Sequence, residues 1–137
     1  MKRFLDSGVL LTAWRGHPPL ADTARAIMAD ESHDFVSSEN VRLELLAKAA
    51  YEKRRTEIEF YNEHFAIARS IEPFSRALGE AAFALAKKYG LSAGDALNLT
   101  SAIRQGADEF VTSETAGKPL FRVKELRVLS MTDVRLG

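Results

Sequence analysis

The chain has 137 residues, 46% of them hydrophobic, and no cysteine. That is one domain's length with enough apolar content for its own core, and it excludes disulfides, thiolate metal sites and a cysteine nucleophile. Lys+Arg and Asp+Glu both number 19, so the formal net charge is zero and the basic surplus of a protein that coats nucleic acid is missing; a nuclease, whose acids coexist with local basic patches, stays open.

Met1-Lys-Arg is basic, but Asp6 interrupts the apolar run after it, and no apolar stretch approaches membrane-spanning length. A soluble, cytoplasmic protein is expected. Arg3-Phe-Leu-Asp6 predicts a buried strand ending at Asp6, then a turn into a short helix through Trp14. Gly16-His-Pro-Pro ends that helix, because proline cannot continue a helix interior and restricts the residue before it. Leu20 to Asp30 predicts a second helix with Ala24, Ile27 and Met28 on one face. Asp34-Phe-Val-Ser-Ser predicts a second strand running into helix-start chemistry at Ser37, Ser38 or Asn40. The helix after it carries Val41, Leu45, Lys48 and Ala49 at helical spacing, with Glu44 between them. From Ala50 to Ala68 one long charged helix is predicted, with Tyr51, Ile58, Tyr61, Phe65 and Ala68 as a stripe. The stripe packs on the domain's own core or, as aromatics amid charge, serves self-association; the second reading predicts a homodimer.

Arg69-Ser-Ile-Glu predicts a third, short strand before Pro73, and Ser75 to Tyr89 an amphipathic helix closed by Gly90 in the left-handed conformation. The stretch from Gly90 to Arg104 is the one the chain is organised around. Ser92 is a helix N-cap, Ala96, Leu97, Thr100 and Ile103 recur on one face, and Asp95 falls in the first turn, where the helix dipole favours a carboxylate. Gly106 marks a helix stop; Glu109-Phe-Val-Thr predicts a strand ending at Ser113-Glu114, and Arg127-Val-Leu-Ser-Met a last strand beyond the Gly117 and Pro119 loop. Short apolar strands alternating with helices predict a parallel sheet with helices on both faces, in a single domain over residues 1–137.

In such sheets ligand sites collect beyond the carboxyl ends of the strands. Asp6 and Glu114 lie just past strands, Asp95 opens a helix that can overhang the same edge, and Glu44 lies about one turn into the helix leaving the second strand. Four acids from distant parts of the chain can therefore meet in one crevice. Close carboxylates repel, so the cluster calls for a cation or protons, and all-oxygen ligation suits Mg²⁺ or Mn²⁺. Such an ion supports phosphodiester hydrolysis.

Four pieces of sequence resemble the PIN-domain family, specifically its VapC-type toxin ribonucleases: Phe4-Leu-Asp-Ser-Gly-Val-Leu-Leu, Val41-Arg-Leu-Glu-Leu-Leu, Tyr89-Gly-Leu-Ser-Ala-Gly-Asp-Ala-Leu and Gly106-Ala-Asp-Glu-Phe-Val-Thr-Ser-Glu. The resemblance implies a three-layer α/β/α sandwich with a central parallel sheet of four or five strands. It also implies a divalent-metal-dependent endoribonuclease that is inhibited by a small antitoxin and is commonly a homodimer. Carried over by position, Asp6, Glu44 and Asp95 match the family's principal metal-binding acids, and Glu114 stands where Asp is more usual. Gly8 replaces a polar residue, which removes an expected hydrogen bond, and the loop Thr115-Ala-Gly-Lys-Pro-Leu-Phe lacks the family's Asp-Phe pair. Ser7 and Thr112 match polar positions beside the acids, or are plain turn and strand-end residues. Asn98, one turn beyond Asp95, reads as solvent-facing by helix position alone; as Asp95's neighbour it can orient a carboxylate or a water. Arg15, Arg42, Lys48 and Lys118 are candidates for RNA phosphates, or surface charge balance. His17, His33 and His64 lack ligand spacing and read as surface residues. A PIN-like domain that has lost catalysis and acts through protein or RNA contacts is the alternative. A phosphoacceptor domain fits poorly, for want of an acidic pair at the first strand and a lysine at the last.

Overall fold

The computed structural model describes residues 1–136. The elements are β1 (Lys2–Leu5), α1 (Ser7–Arg15), α2 (Leu20–Met28), β2 (Asp34–Ser38), α3 (Glu39–Tyr51), α4 (Arg55–Ile67), β3 (Ile71–Glu72), α5 (Arg76–Tyr89), α6 (Ala93–Arg104), β4 (Glu109–Thr112) and β5 (Arg127–Ser130). All strand pairs are parallel, in the order β3-β2-β1-β4-β5. Phe4 and Leu5 are fully buried and pair with Val36 on one side and Phe110 and Val111 on the other. The stacked rings of Phe4 and Phe110, 5.3 Å apart, tie the two central strands together. A strand buried on both faces needs this unbroken apolar run.

From β1 the chain steps outward to β2 and β3, then crosses back to β4 on the other side. Right-handed crossovers in opposite directions place the first four helices on one face and the last two on the other. Accordingly α1 packs on α2, α3 and α4, and α5 on α6. The reversal beside β1 opens a crevice at the strands' carboxyl ends, and Asp6 is the first residue past β1. Ser38, Ser75 and Ser92 cap α3, α5 and α6, each hydroxyl accepting a bond from the backbone N–H three residues on. Gly90 closes α5 at φ +71°.

Two expectations fail here. The single helix from Ala50 to Ala68 is broken: α3 ends at Tyr51 and α4 begins at Arg55, with Lys53 at φ +57° between them. An unbroken helix from Glu39 to Ile67 would run about 43 Å, well beyond a small domain's diameter; the turn folds α4 back on α3. Tyr51 is then 87% exposed, whereas Tyr61 and Phe65 are buried in the core. Tyr61 and Phe65 therefore pack inward, and the homodimer expected from the stripe loses its two central aromatics.

His64 is also misread as a surface residue. It is buried between the Phe35 and Phe65 rings, with neither ring nitrogen bonded among the described residues. Burial depresses its pKa from 6.5 to about 4. The unfolded chain takes up a proton near pH 6.5 and the folded chain does not, so stability falls as pH drops from 6.5 to about 4. The limit is about 3 kcal/mol. His64→Phe should remove that loss, read as the difference between variant and wild type in denaturant midpoints at about pH 7.5 and about pH 4.5. An unchanged difference at the two pH values would show that His64 does not titrate in this way. His33 is half-buried near Asp30, and only His17 is fully at the surface.

Candidate active site

One side chain bridges two of the predicted acids, and a third acts on one of them through its charge. Asn98, only 1% exposed, projects from α6 and donates through Nδ2 to Asp6 Oδ1 (3.2 Å) and to Glu44 Oε1 (3.0 Å). Its Oδ1 accepts from Ser38 Oγ (3.1 Å) and Asn40 Nδ2 (3.1 Å), and Asn40 Nδ2 also reaches Glu44 Oε1 at 3.4 Å. Carboxylates only accept, so the two amides must turn their NH₂ groups toward the acids. Asp95, one helical turn before Asn98 on α6, completes the group; its backbone N–H is capped by Ser92 Oγ at 3.3 Å. A Cβ on Gly94 would stand 3.6 Å from Glu44 Oε2, which shows how closely the start of α6 approaches the Glu44 carboxylate.

Asp6 is almost fully buried and takes a hydrogen bond from the Ser7 backbone N–H at 2.9 Å, with Thr112 Oγ1 3.4 Å from its other oxygen. Burial pushes its pKa up to about 7, against the bond from Ser7; the charges of Glu44 and Asp95 push it further and the Asn98 amide opposes them. Burial also raises Asp95, and so does the charge of Glu114. Glu114 lies exposed at the rim, its backbone N–H bonded to Thr112 Oγ1 at 3.1 Å. The four acids thus share one electrostatic neighbourhood.

Among the described residues no three carboxylate or imidazole groups close into a ready metal-binding set. The donors still suit a small hard cation, because Mg²⁺ keeps several waters and binds through one or two carboxylates. A buried carboxylate held near neutrality by burial and its neighbours' charge is what such a cation would relieve.

Thr112 reaches Asp6 through its hydroxyl and Ser7 through its backbone N–H alone, while Asn98 is a buried bridge and not solvent-facing. At Gly8 a Cβ would fall 2.1 Å from Ser113 Oγ and 3.2 Å from Ser113 Cβ, so a side chain at this position requires the Ser113 hydroxyl to turn away. Arg15 and Lys48 line a groove that begins at Ser7 and Glu44. Arg42 instead lies over the Phe65 ring beside Glu39, and Lys118 is exposed in the loop after β4. Sequence reasoning missed Asn40, whose position four residues before Glu44 on one helix was the available signal.

The family model for the PIN domain matches residues 3–123. The chain belongs to the PIN-domain family. Its five-stranded parallel sheet with flanking helices is the PIN fold, and PIN domains are nucleases that generally use a divalent metal. Among solved structures, this PIN domain resembles VapBC2 from Rickettsia felis bound to a promoter DNA fragment. That match has a TM-score of 0.68 and 15% identity, over 95% of this chain and 98% of that one. It also resembles a toxin-antitoxin complex from Klebsiella pneumoniae, with a TM-score of 0.69 and 19% identity over 96% and 99% of the two chains. At these identities the likeness establishes the fold. No curated protein matches the chain. No helix among the described residues is long and apolar enough to cross a membrane.

Proposed function

We propose that this PIN domain is a Mg²⁺- or Mn²⁺-dependent endoribonuclease that hydrolyses phosphodiesters in RNA, and that it is the cytoplasmic toxin of a toxin-antitoxin pair. The observation that carries the reading is the Asn98 bridge, which turns Asp6 and Glu44, 38 residues apart in sequence, toward one point beside Asp95. A bound divalent cation polarises a phosphodiester and lowers the pKa of a bound water. Asp6, Glu44 and Asp95 would hold it, with Glu114 at the rim positioned to act through a water. Asn98, Ser7 and Thr112 fix the carboxylates' orientation, so that little rearrangement accompanies loading. No His, Ser or Lys side chain is assigned to nucleophilic attack.

The likeness to VapBC2 and to a toxin-antitoxin complex supports an antitoxin partner. A homodimer belongs to the same reading. With Tyr61 and Phe65 committed to the core, its apolar candidates are Phe74 and Phe83, which are exposed just before and on α5.

The test pairs calorimetry with cleavage. The wild-type protein should bind Mn²⁺ and cut a labelled single-stranded RNA only when the ion is present, with EDTA abolishing cleavage and matched single-stranded DNA resisting it. Absence of Mn²⁺ binding would favour the second reading, a non-catalytic binding module, which the open spacing of the acids motivates. Cleavage that persists in EDTA would overturn the metal role.

A further inference from the structure

A groove of about 340 Å³ leaves the acid crevice between α1 and α3. On α1 its lining runs from Ser7 and Gly8 through Leu11 to Arg15, and on α3 from Glu44 and Leu45 to Lys48 and Ala49. These are single faces of two helices, one starting beside Asp6 and the other carrying Glu44 in its second turn, since residues three and four apart share a face. Arg15 lies eight residues past Ser7, about 12 Å along the helix axis. A phosphate held there belongs to a nucleotide flanking the scissile bond and not to the scissile phosphate. The groove's volume is at the small end for a ligand cleft, roughly 300–1,000 Å³.

The far end of the groove is built around a buried acid. Glu57 on α4 is 2% exposed and receives the Arg15 guanidinium through Nε (3.2 Å) and Nη2 (3.1 Å), and the Tyr61 hydroxyl at 2.6 Å. Burial alone would raise the Glu57 pKa, but Tyr61, Arg15 and Arg54 outweigh it and hold the carboxyl below its usual range. The Arg15 side chain remains 35% exposed, and the two bonds to Glu57 leave its Nη1 without a hydrogen bond to the described residues. Arg54 and Lys48 add charge nearby, so at this end three cations stand beside the anions Glu52 and Glu57, with Glu44 the further anion of the lining at its acid end. A planar guanidinium braced from behind by a buried carboxylate is pre-organised for a phosphate in front.

We propose that this groove seats a nucleotide flanking the cut in single-stranded RNA, with its phosphate on Arg15 and Lys48 and its base against the exposed Leu11, over a floor at Leu45 and Ala49 that is buried. The inference rests on the RNA-cleaving reading of the acid site and extends it to how the strand is laid down. An aliphatic surface accepts any base face, so the seat carries position more than sequence.

Binding of a fluorescent RNA of about 12 nucleotides and mixed sequence, long enough to span a single-strand site, measured by anisotropy in Ca²⁺, tests it. Arg15→Ala should weaken binding about tenfold and lower the slope of log affinity against log salt by about 0.7, the value for one contact to a single-stranded phosphate; Arg15→Lys should recover part of both. Because Arg15→Ala strips Glu57 of a partner and can unsettle the fold, Leu11→Glu is the second variant. Leu11 is 40% exposed, and a carboxylate there should repel the strand and raise KM in Mn²⁺ cleavage far more than it lowers kcat, whereas Leu11→Gln should do so only weakly. RNA affinity and KM unmoved in folded Arg15→Ala and Leu11→Glu proteins, with wild-type cleavage intact, would overturn the groove alone. A wild-type protein that neither binds nor cuts RNA would overturn the reading beneath it.

Discussion

Asp6→Asn is expected to lose RNA cleavage by more than about a thousandfold and yet to yield a more stable protein at about pH 8 in EDTA. The two effects have one cause. The Asp6 carboxyl is buried and pushed from 3.8 to about 7 by that burial and by the charges of Glu44 and Asp95. For a carboxylate whose folded pKa is raised, stability is greatest when the group is protonated and is lost as pH climbs from 3.8 through about 7. Above that range the metal-free protein carries the whole cost of the buried charge, up to about 4 kcal/mol by linkage. Asn98 and Ser7 can still donate to an amide oxygen at position 6, and the Thr112 hydroxyl can turn to accept from the new NH₂, so the neutral side chain removes the cost with these three partners kept. It also removes the negative charge a divalent ion needs. Urea midpoints with and without a roughly 5-fold excess of Mn²⁺ over the site's dissociation constant separate the contributions. Wild type should gain stability from the ion and Asp6→Asn should not. A variant less stable than wild type in EDTA at about pH 8 would contradict the charge argument, and one that still cleaved would contradict the metal site. This titration runs opposite to that of His64 over the same acid range, so the His64 test reads a difference and not the wild-type curve.

Asn98→Asp is expected to cut cleavage by about 10–100-fold, the usual cost of losing a residue that orients metal ligands, although the two side chains have nearly the same shape. The Nδ2 donor that serves both Asp6 and Glu44 becomes an oxygen facing two carboxylates, and like charges this close raise each other's pKa. Asn98→Ala should lose activity too, and should cost about 1–3 kcal/mol, because Ser38 and Asn40 lose their acceptor inside the protein. The distinguishing measurement is rescue: raising Mn²⁺ should restore much of the Asn98→Asp activity by neutralising the added charge, and less of the Asn98→Ala activity. If both variants cleave RNA at the wild-type rate at low Mn²⁺, the bridge does not organise the site.

The alternation of short apolar runs with amphipathic helices was enough to give a parallel α/β sheet, and local chemistry marked its joints. Ser38, Ser75, Ser92 and Gly90 act where their side chains or backbone freedom make them act, within a few residues of themselves. The acids at Asp6, Asp95 and Glu114 were legible for the same reason, since each lies just past a strand or opens a helix. What the chain order could not contain is which side chains share a space across dozens of residues. Periodicity showed Asn98 on α6 but not that α6 turns it into a buried gap between Asp6 and Glu44, and it carried Tyr61 and Phe65 on a long stripe without the left-handed turn at Lys53 that folds them inward. Burial depends on what packs against a face, and only the tertiary structure supplies the opposing face. The sequence by itself determined the elements, their order and the supply of acids at the sheet's edge; the tertiary structure decided the Asn98 bridge, the Glu57 brace under Arg15 and the burial of His64, because each is a contact between segments that the chain brings together only by folding.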